Sequence, residues 1–187
     1  TLATDDDGVA LWVEEAPVAA GWSLSSFECR DAAGALVGAP STDPAHPNRW
    51  ELTLMKDADI TCTYVNEERG RIIVEKVTQP EGSTQSFAFT PSYGPSFNLT
   101  DGQANDSGLL RPGSYSVSES VPAGWDLAGL VCDDPDGGSS VNPAGAAATI
   151  DLEAGETVHC TFTNARRGHI IVEKVVPVDA PVASFAF

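Results

Sequence analysis

Between residues 70 and 165 apolar and polar positions alternate with period two, in short runs bounded by Gly, Pro, Asn and Asp. That is the pattern of half-buried strands joined by tight turns. It predicts strands over 71–78, 85–90, 114–121, 127–132, 147–152 and 157–164, and no stretch keeps a helical period of useful length. Because alternate residues of a strand share a face, Ile72, Val74 and Lys76 fall together. So do Tyr115, Val117, Glu119 and Val121, and likewise Val158, Cys160, Phe162 and Asn164. Each apolar face thus carries one amine, one carboxyl or one amide. A polar group buried without a partner is costly, which leaves two readings. Either the three groups meet in the core, or each sits at a strand end open to water, with Lys76 and Glu119 an ordinary ion pair.

The pattern is repeated. Gly70–Val77 recurs as Gly168–Val175, and Ser86-Phe87-Ala88-Phe89 recurs as Ser184-Phe185-Ala186-Phe187, both at an offset of 98. Thr61–Asn66 matches His159–Asn164 at 98, whereas Ala20–Leu24 matches Ala123–Leu127, and Cys29 matches Cys132, at 103. The change in offset puts a longer loop between Cys29 and Cys62, where Gly38–Pro44 has turn chemistry. Residues 70–165 therefore read as one complete module, 1–67 as the later part of another that lacks its first strands, and 168–187 as the opening strands of a further one. The three in-phase polar positions recur too, as Glu15, Asn66 and Lys174. Of the chain's three lysines, Lys76 and Lys174 occupy the same repeat position, and Lys56 falls in a turn.

Charge narrows the possible partners. The 187 residues hold 10 Lys plus Arg against 27 Asp plus Glu, a formal net charge of -17. Such a surface repels phosphate backbones and anionic lipid, which excludes nucleic-acid binding and electrostatic membrane attachment. No apolar run approaches the length needed to span a bilayer. His46, His159 and His169 are scattered and accompany no nucleophile motif, and no cofactor motif is present, so an enzyme is not expected. Asp5-Asp6-Asp7-Gly8 and Asp133–Gly137 lack the spacing of a calcium loop and read as solvated turns, so no metal site is expected.

The strand opening with Ile73-Val74-Glu75-Lys76-Val77, the run Tyr115–Trp125 and the closing strand ending at Asn164 together resemble the Cna B-type or SpaA-type prealbumin-like domains of bacterial surface and pilus proteins. The resemblance implies an all-β chain of tandem immunoglobulin-like or prealbumin-like β-sandwich modules. It further implies an intramolecular isopeptide bond in which Lys76 is the nucleophile, Asn164 the electrophilic amide and Glu119 the proton shuttle. The cross-link would be a single self-processing event rather than turnover. Four cysteines allow three pairings. One pair per module at equivalent positions favours Cys29 with Cys62 and Cys132 with Cys160, against buried thiols or a four-thiolate metal site, and implies an extracytoplasmic setting.

Since one end of the chain holds what the other lacks, residues 168–187 of one copy are expected to complete residues 1–67 of the next in a head-to-tail homopolymer. Lys174 would then bond to Asn66 with Glu15 assisting. The alternative architecture is a window of a longer tandem array. The expected function is a structural subunit of an extracellular filament, pilus shaft or surface stalk. The alternative is an adhesin that binds a surface ligand through acidic loops such as 31–48 or 133–138. Trp22 and Trp125, each following Ala-Gly, are expected to be packing residues.

Overall fold

The computed structural model describes residues 8–176, all-β apart from one 3-10 turn at 143–145. The fourteen strands are β1 (Val9–Glu14), β2 (Trp22–Asp31), β3 (Ala39–Pro40), β4 (Arg49–Leu54), β5 (Ile60–Glu68), β6 (Arg71–Gln79), β7 (Phe87–Pro91), β8 (Phe97–Leu99), β9 (Ala104–Asp106), β10 (Gly113–Ser120), β11 (Trp125–Asp133), β12 (Ser140–Asn142), β13 (Ala147–Leu152) and β14 (Thr157–Arg166). Every predicted run between 70 and 165 lies within or overlaps one of them. The alternation did not reveal β8, β9 and β12, which have three residues each, too few to display a period. The run 38–44 read as turn chemistry contains the two-residue strand β3.

From β6 onward the strands form two sheets, one ordered β12-β13-β10-β7-β8 and the other β11-β14-β6-β9. Their inner faces enclose one core: Ile72, Val74, Val158, Phe162 and Leu130 from the second sheet meet Phe87, Phe89, Val117, Ile150 and Leu152 from the first. Strand parity dictates this arrangement. Along β6 buried and half-exposed positions alternate without a break, and β14 does the same for most of its length. One pairing departs from the antiparallel rule. β14 lies parallel to β6, with Phe162 opposite Lys76 and Asn164 opposite Thr78. The first and last strands of the unit are therefore neighbours.

Upstream, β1-β4-β3 and β2-β5 form two smaller sheets around Cys29, Trp50 and Leu52. They follow the same register as their counterparts. Val13 opposite Trp50 repeats Val117 opposite Ala148, Cys29 opposite Cys62 repeats Cys132 opposite Cys160, and the β2–β5 and β11–β14 pairs carry an irregularity at the same place, between Leu24 and Ser26 and between Leu127 and Gly129. Among the described residues nothing occupies the positions beside β5 and β1 that β6 and β7 take beside β14 and β10. Residues 167–176 join no sheet and leave Ile170, Ile171, Val172 and Val175 exposed. Asp5-Asp6-Asp7, read as part of a solvated turn, and the repeated segment Ser184–Phe187 lie outside the described residues.

Only Arg69 and Gly70 separate β5 from β6. Gly70 is buried and pairs with Leu110 through backbone hydrogen bonds of 3.0 and 2.9 Å. A Cβ at this position would lie 2.7 Å from the Glu156 carbonyl oxygen and 3.0 Å from Leu152 Cδ1. Glycine is thus required by the close approach of the 153–156 turn, and this sets how β6 enters the sheet. Gly70→Ala is expected to lower unfolding stability by about 1–3 kcal/mol, measured by urea denaturation with the disulfides intact. An unchanged midpoint would show that the turn yields without cost.

Candidate functional site

Three strands from two sheets bring Lys76, Glu119 and Asn164 together in the core. Lys76 is the sixth residue of β6 and points inward with Ile72 and Val74. Glu119 follows Val117 by one strand period on β10, and Asn164 follows Phe162 by one on β14. Their relative exposures are 0%, 6% and 0%, so the reading in which each lies at a strand end open to water does not hold. The parallel pairing of β6 with β14 brings the amine to the amide, and β10 presents the carboxyl from the opposite sheet.

The contacts define the chemistry. Lys76 Nζ donates to Asn164 Oδ1 at 2.9 Å and to the carbonyls of Val77 and Phe162 at 2.8 and 2.9 Å. It lies 3.5 Å from Glu119 Oε1 and 4.2 Å from the centre of the Phe87 ring. Neither Glu119 oxygen nor Asn164 Nδ2 finds a hydrogen-bond partner, although all three are buried. Desolvation pushes the Lys76 amine below its ordinary range, against the pull of Glu119, and pushes the Glu119 carboxyl up, against the pull of Lys76. Burial thus drives both groups toward their neutral forms. A neutral amine has a lone pair to offer, and a neutral carboxyl has a proton to give to an amide beside it.

Sequence parity did not single out Phe87, whose ring underlies the amine and packs edge-on against Trp125 with centroids 5.3 Å apart. The recurrence of Ser86–Phe89 was the available signal. Asp101 was also missed. Its carboxylate accepts the Thr78 and Gly82 backbone N–H groups at 2.6 and 2.7 Å, fixing the chain just beyond Lys76, and these bonds lower its pKa.

The second set of residues is only partly assembled. Asn66 Nδ2 donates to Glu15 Oε1 at 2.6 Å, and Asn66 Oδ1 and Glu15 Oε2 are buried without partners. Glu15 immediately follows β1, Asn66 lies in β5, and Lys174 belongs to the segment that joins no sheet. Trp22, expected to pack, is 42% exposed, whereas Trp125 is 6% exposed. The physical reason is that Trp125 is covered by Phe87, and no described residue covers Trp22 in the same way.

The disulfides join Cys29 to Cys62 and Cys132 to Cys160, each bridging directly opposed positions of two antiparallel neighbouring strands, β2 with β5 and β11 with β14. Asp134 and Asp136 of the acidic loop after β11 approach Glu156 of the turn before β14, but Asp134 accepts backbone N–H groups from Asp136, Gly137 and Ser139, as a turn-forming aspartate does.

The profile of the SpaA-type prealbumin-like fold domain matches residues 1–68 and 72–166. The chain belongs to this family. No curated protein sequence matches it. Among solved structures, this prealbumin-like chain is similar to a Mobiluncus mulieris adhesin described as containing intramolecular disulfide, isopeptide and ester bond cross-links. The identity is 11%, the match covers 85% of this chain and 88% of that one, and the TM-score is 0.43. For the major pilin T-13 of Streptococcus pyogenes the values are 13%, 89%, 70% and 0.43. For the Bacillus anthracis TIE protein they are 16%, 86%, 35% and 0.39.

The elevated Glu119 pKa gives this prealbumin-like core a testable pH dependence. A carboxyl whose folded pKa is raised above its ordinary 4.5 contributes stability that is complete below that value and is lost as pH rises through the folded pKa. In a Lys76→Met background, where no amine titrates beside it, unfolding free energy should fall with rising pH relative to the same background carrying Glu119→Gln. Urea denaturation across a pH series reads the difference, and parallel curves for the two would show that Glu119 is not held neutral.

Proposed function

We propose that the chain is a structural module of an extracellular filament, pilus shaft or surface stalk, stabilised by an isopeptide bond between Lys76 and Asn164. The observation that carries this reading is a dry amine hydrogen-bonded to an amide oxygen, with a buried carboxyl beside both. In the reaction Lys76 Nζ attacks Asn164 Cγ, and Glu119 passes the proton released by the amine to Nδ2. The Cγ–Nδ2 bond breaks as Nζ–Cγ forms, and ammonia leaves. Folding supplies the proximity that an ordinary amide exchange lacks. Glu119 is the shuttle because it reaches the site from the facing sheet, without a hydrogen-bond partner and pushed toward its protonated form. The two disulfides support an oxidising, extracytoplasmic setting.

On the same reading copies join head to tail. Residues 168–187 of one supply the opening strands of the module formed by 1–67 of the next, alongside the complete module 70–165. Lys174 bonds to Asn66 with Glu15 as its shuttle. Support comes from the vacant strand positions beside β5 and β1 and from the near-identity of 168–175 with the β6 segment.

Intact mass after disulfide reduction tests the bond. The expected result is a deficit of one ammonia, absent in Glu119→Ala and in Lys76→Ala. Full theoretical mass in the unsubstituted chain would reduce the cluster to a buried ion pair.

A further inference from the structure

Where β5 passes into β6, a turn of the downstream unit docks on the end of β5. Gly155 N donates to the Glu68 carbonyl at 3.2 Å, Arg71 N donates to the Glu156 carbonyl at 2.9 Å, and Arg69 N donates to the Gly21 carbonyl at 2.7 Å. A Cβ at Gly155 would lie 2.9 Å from Glu68 Oε2. A side chain at this place in the turn therefore points at the side chain of residue 68.

Both halves of this contact occur a second time. Glu68, Arg69 and Gly70 correspond to Arg166, Arg167 and Gly168, at the offset of 98. Trp125 pairs with Arg166 as Trp22 pairs with Glu68, and Arg167 N donates to the Gly124 carbonyl at 2.8 Å, the counterpart of the Arg69–Gly21 bond. The turn 153–156 corresponds to 55–58 at the same offset. Ala58 N donates to the Met55 carbonyl at 3.2 Å as Glu156 N does to that of Glu153 at 3.3 Å, and φ is 57° at Asp57 and 72° at Gly155. Residues 55–58 are exposed, and so are Arg166 and Arg167, which border an open groove of about 560 Å³.

The two sets differ in charge. Asp57 stands where the other turn has Gly155, and Arg166 where the other strand end has Glu68. Asp57 keeps a left-handed backbone that glycine adopts freely and an L side chain adopts at a cost. Among the described residues no hydrogen bond or ion pair engages the side chain of either Asp57 or Arg166. A carboxylate at this place in the turn is repelled by Glu68 and attracted by Arg166, so turn 55–58 suits the end of β14 and not that of β5.

We propose that Asp57 of one copy pairs with Arg166 of a second copy, so that the turn 55–58 docks on the end of β14 as the turn 153–156 docks on the end of β5. The inference rests on the head-to-tail reading and names the contact by which the copies recognise each other. The interface is heterologous, so each added copy presents the same two surfaces again and the contact propagates along a filament. In a chain of net charge -17, where most approaches between copies are repulsive, an arginine at one end and an aspartate at the other set the direction of docking.

The test uses the full chain with Lys174→Ala, which removes the proposed covalent bond and keeps association reversible. Sedimentation velocity over a concentration series reads self-association, and urea midpoints check that each variant folds. Asp57→Arg and Arg166→Glu should each weaken self-association roughly tenfold, since each sets like charges face to face. The chain carrying both substitutions has the pair in reverse and should recover the parent association to within about threefold, as should an equimolar mixture of the two single variants. Weakening by the single variants without recovery in either arrangement overturns the pairing of residue 57 with residue 166. Association indifferent to all of these substitutions overturns the pairing and leaves the head-to-tail reading intact. No association of the parent, the outcome if a following module of one longer polypeptide covers this end, overturns both.

Discussion

A single parallel contact in an otherwise antiparallel assembly governs the rest of the structure. Because β14 returns alongside β6 in the same direction, an amine on the first strand and an amide on the last are held in one dry layer. The hydrophobic shell of Val74, Phe87, Phe89 and Phe162 then pushes both Lys76 and Glu119 toward their neutral forms, since an ionised group in that layer loses its hydration and regains only part of it from its partner. The packing and the chemistry of the site are one feature. Loosening the core would hydrate the lysine, restore its ordinary basicity and remove its nucleophilic character.

The parity of three strands was enough to place Lys76, Glu119 and Asn164 on buried faces, because a β-strand leaves no freedom over which side a residue takes once its neighbours are fixed. The repeat offsets located the disulfide partners for a related reason: each cystine joins directly opposed positions of two antiparallel strands, and equivalent strand pairs keep equivalent positions. What escaped was information that has no period. β8, β9 and β12 are shorter than one full alternation, and the support that Asp101 gives to the turn after Lys76 depends on side-chain–backbone bonds made in the folded loop. The expectation for Trp22 failed because its packing partner is supplied by a strand that the described residues do not place there.

The two parts of the structure share a strand register and differ in what stands beside the carboxyl and the amide. In one, the carboxyl, amide, amine and underlying ring are all present. In the other, the carboxyl and amide are hydrogen-bonded to each other, and among the described residues no ring packs on the exposed indole of Trp22. Their common register through β1, β2, β4 and β5 holds Asn66 beside Glu15, with the Cys29–Cys62 bridge tying β2 to β5.

The two-residue passage from β5 to β6 has a mechanical meaning. With no slack linker, tension along the backbone enters β6 at Arg71 and leaves β14 at Arg166, at opposite ends of two strands aligned over nine residue pairs. Such a pull slides the strands past each other, so the interstrand hydrogen bonds are loaded together in shear and cannot open one at a time like a zipper.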